Sequence, residues 1–445
     1  MSVETVRAGM FARLRASRMA ASIVALVALG GTLAYAAVHT RLESSVPAAD
    51  EVLSAPPERF ELRFSGPVND ALSVVVVTFP SGDSVSLDVS SPVDDSRILV
   101  ADTPPLEQGV HLVRWRTVSA DGHPVDGEFR FTLAGAPQGD GRLPDDSAAA
   151  NATIETDPGT SVGATTQTPA LGAAVIAGLG LACLLGFAGL LWFCGALPLL
   201  REPRIRTFCL ALGWAALGLL AVDLVSWVRQ VAPSGTGFAG VQAALGSRTG
   251  LTAALQLALI VGALFSFRRS GRGAAVSALV ALVVGAASGH TAAISPWLTI
   301  PANAVHQAAA AIWLGGLLLL VLAPDAPTDG SDGWRFPVVA RSVSAAALFA
   351  VLLIAASGAV QSFQFVDDLG AYTSTPYGRG LLVKWMGFLI LVGFGAYHRF
   401  RDMPHLEEER DGRALRRMVR LETIVMLAVI MVAAWLARVS PPAGH

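Results

Sequence analysis

The sequence predicts a multi-domain protein: an all-β Greek-key sandwich joined by a flexible tether to an all-α polytopic membrane bundle of eight helices. Three observations carry this. The 445 residues are 53% hydrophobic and 15% charged, with a mean hydropathy of +0.55, whereas a soluble domain carries about 25% charge. Apolar residues alternate with polar ones before about residue 136, and from Leu171 onward they gather into long runs. This composition excludes a soluble enzyme, a disordered chain and a nucleic-acid binder. The net charge of -2 gives no field that would attract polyanions.

Residues 1–18 set Arg7, Arg13, Arg15 and Arg18 against one acid, Glu4, and an apolar run follows from Met19 to about Val38. Ala34-Tyr35-Ala36 matches an A-x-A cut, so 1–38 read as a secretory signal peptide or, since the run approaches spanning length, as an anchor. Residues 39–136 form the sandwich. Phe60, Leu62 and Phe64 interleave with Arg59, Glu61 and Arg63, and Phe129, Phe131 and Leu133 with Glu128, Arg130 and Thr132. Val74–Phe79, Ile98–Ala101 and Val110–Val118 add strands, separated by Gly, Pro, Asp and Ser clusters. About seven short strands in about 100 residues predict two packed antiparallel sheets. Residues 137–170, rich in Gly, Ala, Pro, Asp and Thr, are the tether.

The membrane domain, 171–440, has eight expected spans at 171–197, 206–228, 249–267, 273–294, 301–323, 336–362, 379–400 and 415–437. Each reaches the roughly 20 residues a bilayer requires. Arg201, Arg204 and Arg206 fall after the first span, Arg268, Arg269 and Arg272 after the third, and a run from Arg399 to Arg420 after the seventh. Those loops face the cytoplasm, which puts the sandwich outside, in a multi-pass plasma-membrane protein. The signal segment gives the same orientation.

The sole lysine is Lys384, inside the seventh span. A P-loop needs a lysine after glycine, so this chain has none and does not use ATP. Cys183, Cys194 and Cys209 all lie in or beside spans, leaving the sandwich without a disulfide. They read as small buried hydrophobes, with soft Cu(I) ligation as the alternative. No methionine lies between residues 20 and 385.

His123 sits in Ser119-Ala120-Asp121-Gly122-His123-Pro124, a turn between two strands. Asp121 and His123 can face one ion across a glycine hinge, an oxygen and nitrogen set that suits Cu(II) in tetragonal geometry. A solvated loop is the plainer alternative for so short a motif. A Cu(I) site wants sulfur, and the sandwich has none. His111 reads as structural. In the membrane half, His290 lies near the outer end of the fourth span and His306 in the first turns of the fifth. Intramembrane ionisable groups are functional candidates by default. Asp223, Gln256, Gln361 and Lys384 lie at similar depth. Arg341 and Glu422 are candidates for pairing near the inner side.

Three stretches of the outer half, His39–Ala48, Pro56–Val68 and Val113–Gly127, together resemble the CopC family of periplasmic copper-binding proteins. The resemblance covers 39–135. It implies a cupredoxin-like or Ig-like sandwich that binds Cu(II) through His39, its amine, Asp121 and His123. Val38 is a poor residue before a cut, and cleavage after Ala36 would instead build an amide chelate from Ala37, Val38 and His39. Gly289-His290, His306 to Gly316, Gly378 to Lys384 and Gly395 to Phe400 resemble the CopD family of inner-membrane copper proteins. That pattern usually reads Ala-Tyr-Asn-Arg where this chain has His398, which reads as an interfacial residue.

The resemblance implies a copper-binding membrane protein and not an enzyme. It captures Cu(II) outside and passes it to a membrane site containing His290 and His306, for transport, with import favoured, or for resistance. Cu(I) is the second candidate state inside the membrane. Partners are the copper ion, the lipid bilayer and a recipient cuproprotein or copper chaperone. One alternative is a b-type haem electron-transfer protein with His290 and His306 as axial ligands. Another is copper sequestration without transport.

Overall fold

The computed structural model describes residues 40–120, 122–134, 171–196, 198–232, 237–289, 296–324, 336–365, 369–402 and 413–439. The signal or anchor segment, the tether, His39, Asp121 and His290 lie outside the described residues. The chain divides into two compact units, a β-sandwich and a helical bundle.

In the sandwich, one sheet joins β1 (Leu42–Val46), β3 (Arg59–Phe64) and β6 (Ile98–Asp102) in the order β1-β3-β6. The other joins β2 (Val52–Leu53), β4 (Val74–Thr78), β5 (Ser84–Leu87), β7 (Gly109–Val118) and β8 (Pro124–Leu133) in the order β2-β8-β7-β4-β5. All pairings are antiparallel except β2 with β8. The five strands expected from alternation are present. The three others, β1, β2 and β5, are short edge strands with few buried residues, so they leave little alternation to read. Period-two burial turns Phe60, Leu62 and Phe64 inward against Val75, Val77, Val113, Trp115, Phe129 and Phe131. Burying each such side chain contributes roughly 1.5–3 kcal/mol. Phe60 meets Phe131 edge-on at 5.8 Å between ring centres, and Phe64 meets Trp115 at 5.2 Å. His111 is fully buried, stacked on Phe131 at 4.9 Å, with Nδ1 3.2 Å from the Gly109 carbonyl.

The helices are α1 (Leu171–Ala196), α2 (Pro203–Val231), α3 (Gly237–Gly246), α4 (Arg248–Ser266), α5 (Gly271–Gly285), α6 (Pro296–Leu322), α7 (Phe336–Phe365), α8 (Ala371–Ser374), α9 (Pro376–Tyr397) and α10 (Arg413–Leu436), and all but α3, most of which falls in the other unit, make up the bundle. A π turn, His398–Asp402, continues α9. Among the described residues, seven helices are long and apolar enough to span a membrane: α1, α2, α4, α6, α7, α9 and α10. The protein is thus a multi-pass membrane protein.

Among the described residues of the span expected at 273–294, α5 is helical over 15 residues and ends at Gly285. It yields to a turn that leads to Gly289, held at φ 68°, a left-handed geometry natural to glycine. Helix α3 lies where the sequence predicted only loop, and its ten residues are too few to span. Helix α1 is apolar all round and the most buried span, with α5, α6 and α10 packed on it. It crosses α6 at Gly189 and Gly315: a Cβ on Gly189 would run into the Ala311 carbonyl, and one on Gly315 into the backbone of Gly189. Small residues let membrane helices approach this closely.

Candidate metal centre

The outer candidate is the turn between β7 and β8. The Ser119 N–H donates to the His123 carbonyl at 3.0 Å, and the Gly122 N–H donates to the Ser119 carbonyl at 2.9 Å. Gly122 adopts φ 84°, so the hinge between Asp121 and His123 is a backbone position that favours glycine. The His123 side chain is half-buried.

The start of the sandwich comes to the same end. The Arg41 N–H donates to Ser65 Oγ at 3.0 Å, and the Ser65 N–H to the Arg41 carbonyl at 2.9 Å. Three residues on, Val68 bridges to Ser119, and the Asn69 N–H donates to the Val118 carbonyl at 3.0 Å. The backbone two residues after His39 and the His123 turn are therefore tied to one short stretch, Ser65–Asn69. Among the described residues, no three His, Cys, Asp or Glu side chains gather as a metal site.

The membrane candidate is a cavity of about 250 Å³ within the bundle. Its polar lining includes Asn303, His306, Gln307, Gln361, Tyr377 and Lys384. The expected His306, Gln361 and Lys384 thus share one space. Lys384 is the one formally charged side chain among the described lining residues. His306 sits nearly three turns into α6, because the helix begins at Pro296, ahead of the expected start. Its Nδ1 lies 3.1 Å from Ser357 Oγ on α7, and Ser357 donates its single hydroxyl proton to the Leu353 carbonyl at 2.5 Å. Ser357 therefore accepts from Nδ1–H, which leaves the Nε2 lone pair of His306 available to a ligand. Ser288 and Gly289, next in sequence to His290, also line the cavity.

Two flagged residues are engaged elsewhere. Asp223 pairs with Arg438, and Gln256 donates to the Ala281 carbonyl at 3.1 Å. Cys194 and Cys209 are buried among apolar side chains, and all three thiols are free.

One further expectation, the pairing of Glu422 with Arg341, needs correction. His398 is 7% exposed, with Nδ1 2.7 Å from Asp402 and Nε2 3.2 Å from Glu422. The Glu422 contact has ion-pair distance but lies outside hydrogen-bond geometry. Glu422 faces this histidine and Trp313, whose Nε1 donates to it at 2.9 Å, in place of the expected Arg341 partnership. Ser357 and Met426 were missed in the sequence. A lone Ser or Met in an apolar helix carries little signal until its neighbour is known.

A sandwich in one chain with a polytopic bundle, whose cavity is bordered by His306, defines a multi-pass membrane protein with a separate β domain. The CopC domain family matches residues 42–134, and Copper resistance protein D matches residues 338–436. The chain is 28% identical over 434 residues to Copper transport protein CutJ of Bacillus subtilis, covering 91% of this chain and 75% of that one. It is 32% identical over 111 residues to Copper resistance protein C of Escherichia coli, covering 23% of this chain and 87% of that one. The solved CopC of Methylosinus trichosporium OB3b is 33% identical, with a TM-score of 0.21, over 22% of this chain and 95% of that one. The chain belongs to the CopC family through its sandwich and carries a CopD domain behind it, in one polypeptide.

Proposed function

We propose that this protein captures Cu(II) outside the membrane with His39, Asp121 and His123 and passes copper to a bundle site that includes His306 and His290, chiefly for import. The observation that carries the reading is His306: a spanning-helix histidine that borders a cavity, with Nδ1 held by Ser357 and an Nε2 lone pair left for a ligand. Met426 adds a thioether to the same wall, which suits Cu(I) as well as Cu(II). Lys384 argues for passage over storage, because a positive charge in the lining weakens the hold on a bound cation. A conduit must bind weakly enough to release. The tether raises the local concentration of the capture site at the bundle. The recipient is a cuproprotein or a copper chaperone.

The test is Cu(II) titration of the purified full-length protein, followed by electron paramagnetic resonance, beside His123→Ala and His306→Ala. A tetragonal signal altered by His123→Ala, and copper uptake into vesicles lost in His306→Ala, are the expected results. A signal untouched by His123→Ala moves outer capture to the Ala37-Val38-His39 chelate. Uptake unchanged by His306→Ala defeats the bundle site, and a Soret band in the purified protein would turn the reading to haem.

A further inference from the structure

The buried acid Glu422 does not line the cavity, but its neighbours Trp313 and Met426 do. It is 1% exposed on α10. Met426, one turn further along the same face, lines the cavity, a rise of about 6 Å. Trp313 belongs to both places: it lines the cavity, and its Nε1 holds Glu422 Oε1 at 2.9 Å. On the other side Glu422 Oε2 faces His398 Nε2 at 3.2 Å, and His398 Nδ1 meets Asp402 Oδ2 at 2.7 Å. Asp402 is the more exposed end of this line, with a side chain 20% exposed.

The surroundings make Glu422 distinctive. Of the helices packed against α10, α1 offers only the thiols of Cys183 and Cys194, α6 only His306, and α9 Lys384, Arg379 and two tyrosines. None carries another carboxylate, and the charges of α10 itself are the arginines of its first two turns. The two nitrogens of His398 face carboxylates on opposite sides, so the three groups share no common point for a metal. Among the described residues they form no metal group. A line of acid, imidazole and acid that runs from beside the cavity lining to the end of α9 suits a proton.

We propose that the Glu422–His398–Asp402 line is the proton-exchange site of the membrane domain: when a copper ion enters the cavity, one proton leaves the Glu422–His398 pair and passes to water through Asp402. No electron moves. The proton's departure offsets the positive charge that copper brings into a region of low dielectric, where uncompensated charge is costly. Trp313 is a positioning residue, since its indole N–H holds the Glu422 carboxylate toward the cavity and carries no proton itself.

This inference rests on the cavity reading above, and the experiment separates the two. Full-length protein in detergent is titrated with copper(II) sulfate in weak buffer. Copper binding is counted by equilibrium dialysis and proton release by a pH indicator. His306→Ala fixes the bundle's share of both. The expected result is that Glu422→Gln and His398→Asn keep the wild-type copper stoichiometry but release about one proton fewer per bundle-bound copper. His398→Asn retains a polar side chain of similar reach and carries the test if Glu422→Gln does not fold. Unchanged proton release in folded variants, with copper binding still sensitive to His306→Ala, overturns the proton site alone. Copper binding indifferent to His306→Ala overturns the cavity reading, and the proton site falls with it.

Discussion

In the sandwich, the interior between the sheets is aromatic and aliphatic, and the residues suited to a metal lie on a rim turn. In the bundle, the interior itself holds His306, Lys384, Glu422 and His398, while the helix faces toward lipid are apolar. The difference follows from the two solvents. A sandwich in water stabilises itself by burying apolar side chains, so its polar chemistry stays at the edge, where water satisfies it. Helices in lipid gain nothing from that effect, and buried polar groups persist where they meet one another. The one histidine inside the sandwich, His111, behaves as an aromatic filler between Phe79 and Phe131.

Large effects test the independence of the two interiors. Phe60→Ala, which opens a cavity between the sheets, should destabilise the sandwich by about 4 kcal/mol. Denaturation followed by fluorescence and by cysteine accessibility in the bundle should show only the first transition moving. A shift in both would break the contrast. Gly189→Val is the converse. It forces a side chain against the Ala311 carbonyl, and overpacking of this kind costs about 3 kcal/mol. Monodisperse yield in detergent should fall while Cu(II) binding by the sandwich survives.

Smaller effects sharpen the comparison. Trp313→Phe keeps the ring but removes the donor to Glu422, and a hydrogen bond to a charged group contributes about 2 kcal/mol. A bundle melting temperature equal to wild type would show that Glu422 does not depend on this donor. Smallest is the pH response of the sandwich. Burial pushes the His111 imidazole below its usual 6.5, with the Gly109 carbonyl acting the other way. The unfolded chain therefore binds the extra proton, and this part of the stability is present above 6.5 and lost as pH falls below it. Melting of the sandwich at pH 7.5 and pH 5.5 should show the loss, and His111→Leu should remove it. Asp95 acts in a separate range. Hydrogen bonds from the Arg97 side chain and backbone hold its carboxyl down to about 2, so its contribution is lost only in strong acid.

The five alternating strands, the long apolar helices and the separate candidates His306 and Lys384 were legible because each is a local pattern or a costly residue in an apolar run. His39, Asp121 and His123 were expected through a motif, and the ties through Ser65–Asn69 show only that the backbone beside His39 and the His123 turn meet at one end. The short edge strands were not legible, nor was α3, since neither leaves a strong period.

By itself the sequence determined the two-part architecture, the number and rough limits of the apolar helices, and which polar residues enter the bilayer. Only the tertiary structure decided their partners: Ser357 for His306, Trp313 and His398 for Glu422, Arg438 for Asp223. These residues are between 24 and 215 positions apart. Apart from α10, the helices that carry them are apolar on nearly every side, so no strong periodicity marks the face that turns inward. The close crossing at Gly189 and Gly315 sets those faces, and which polar groups meet follows from that packing.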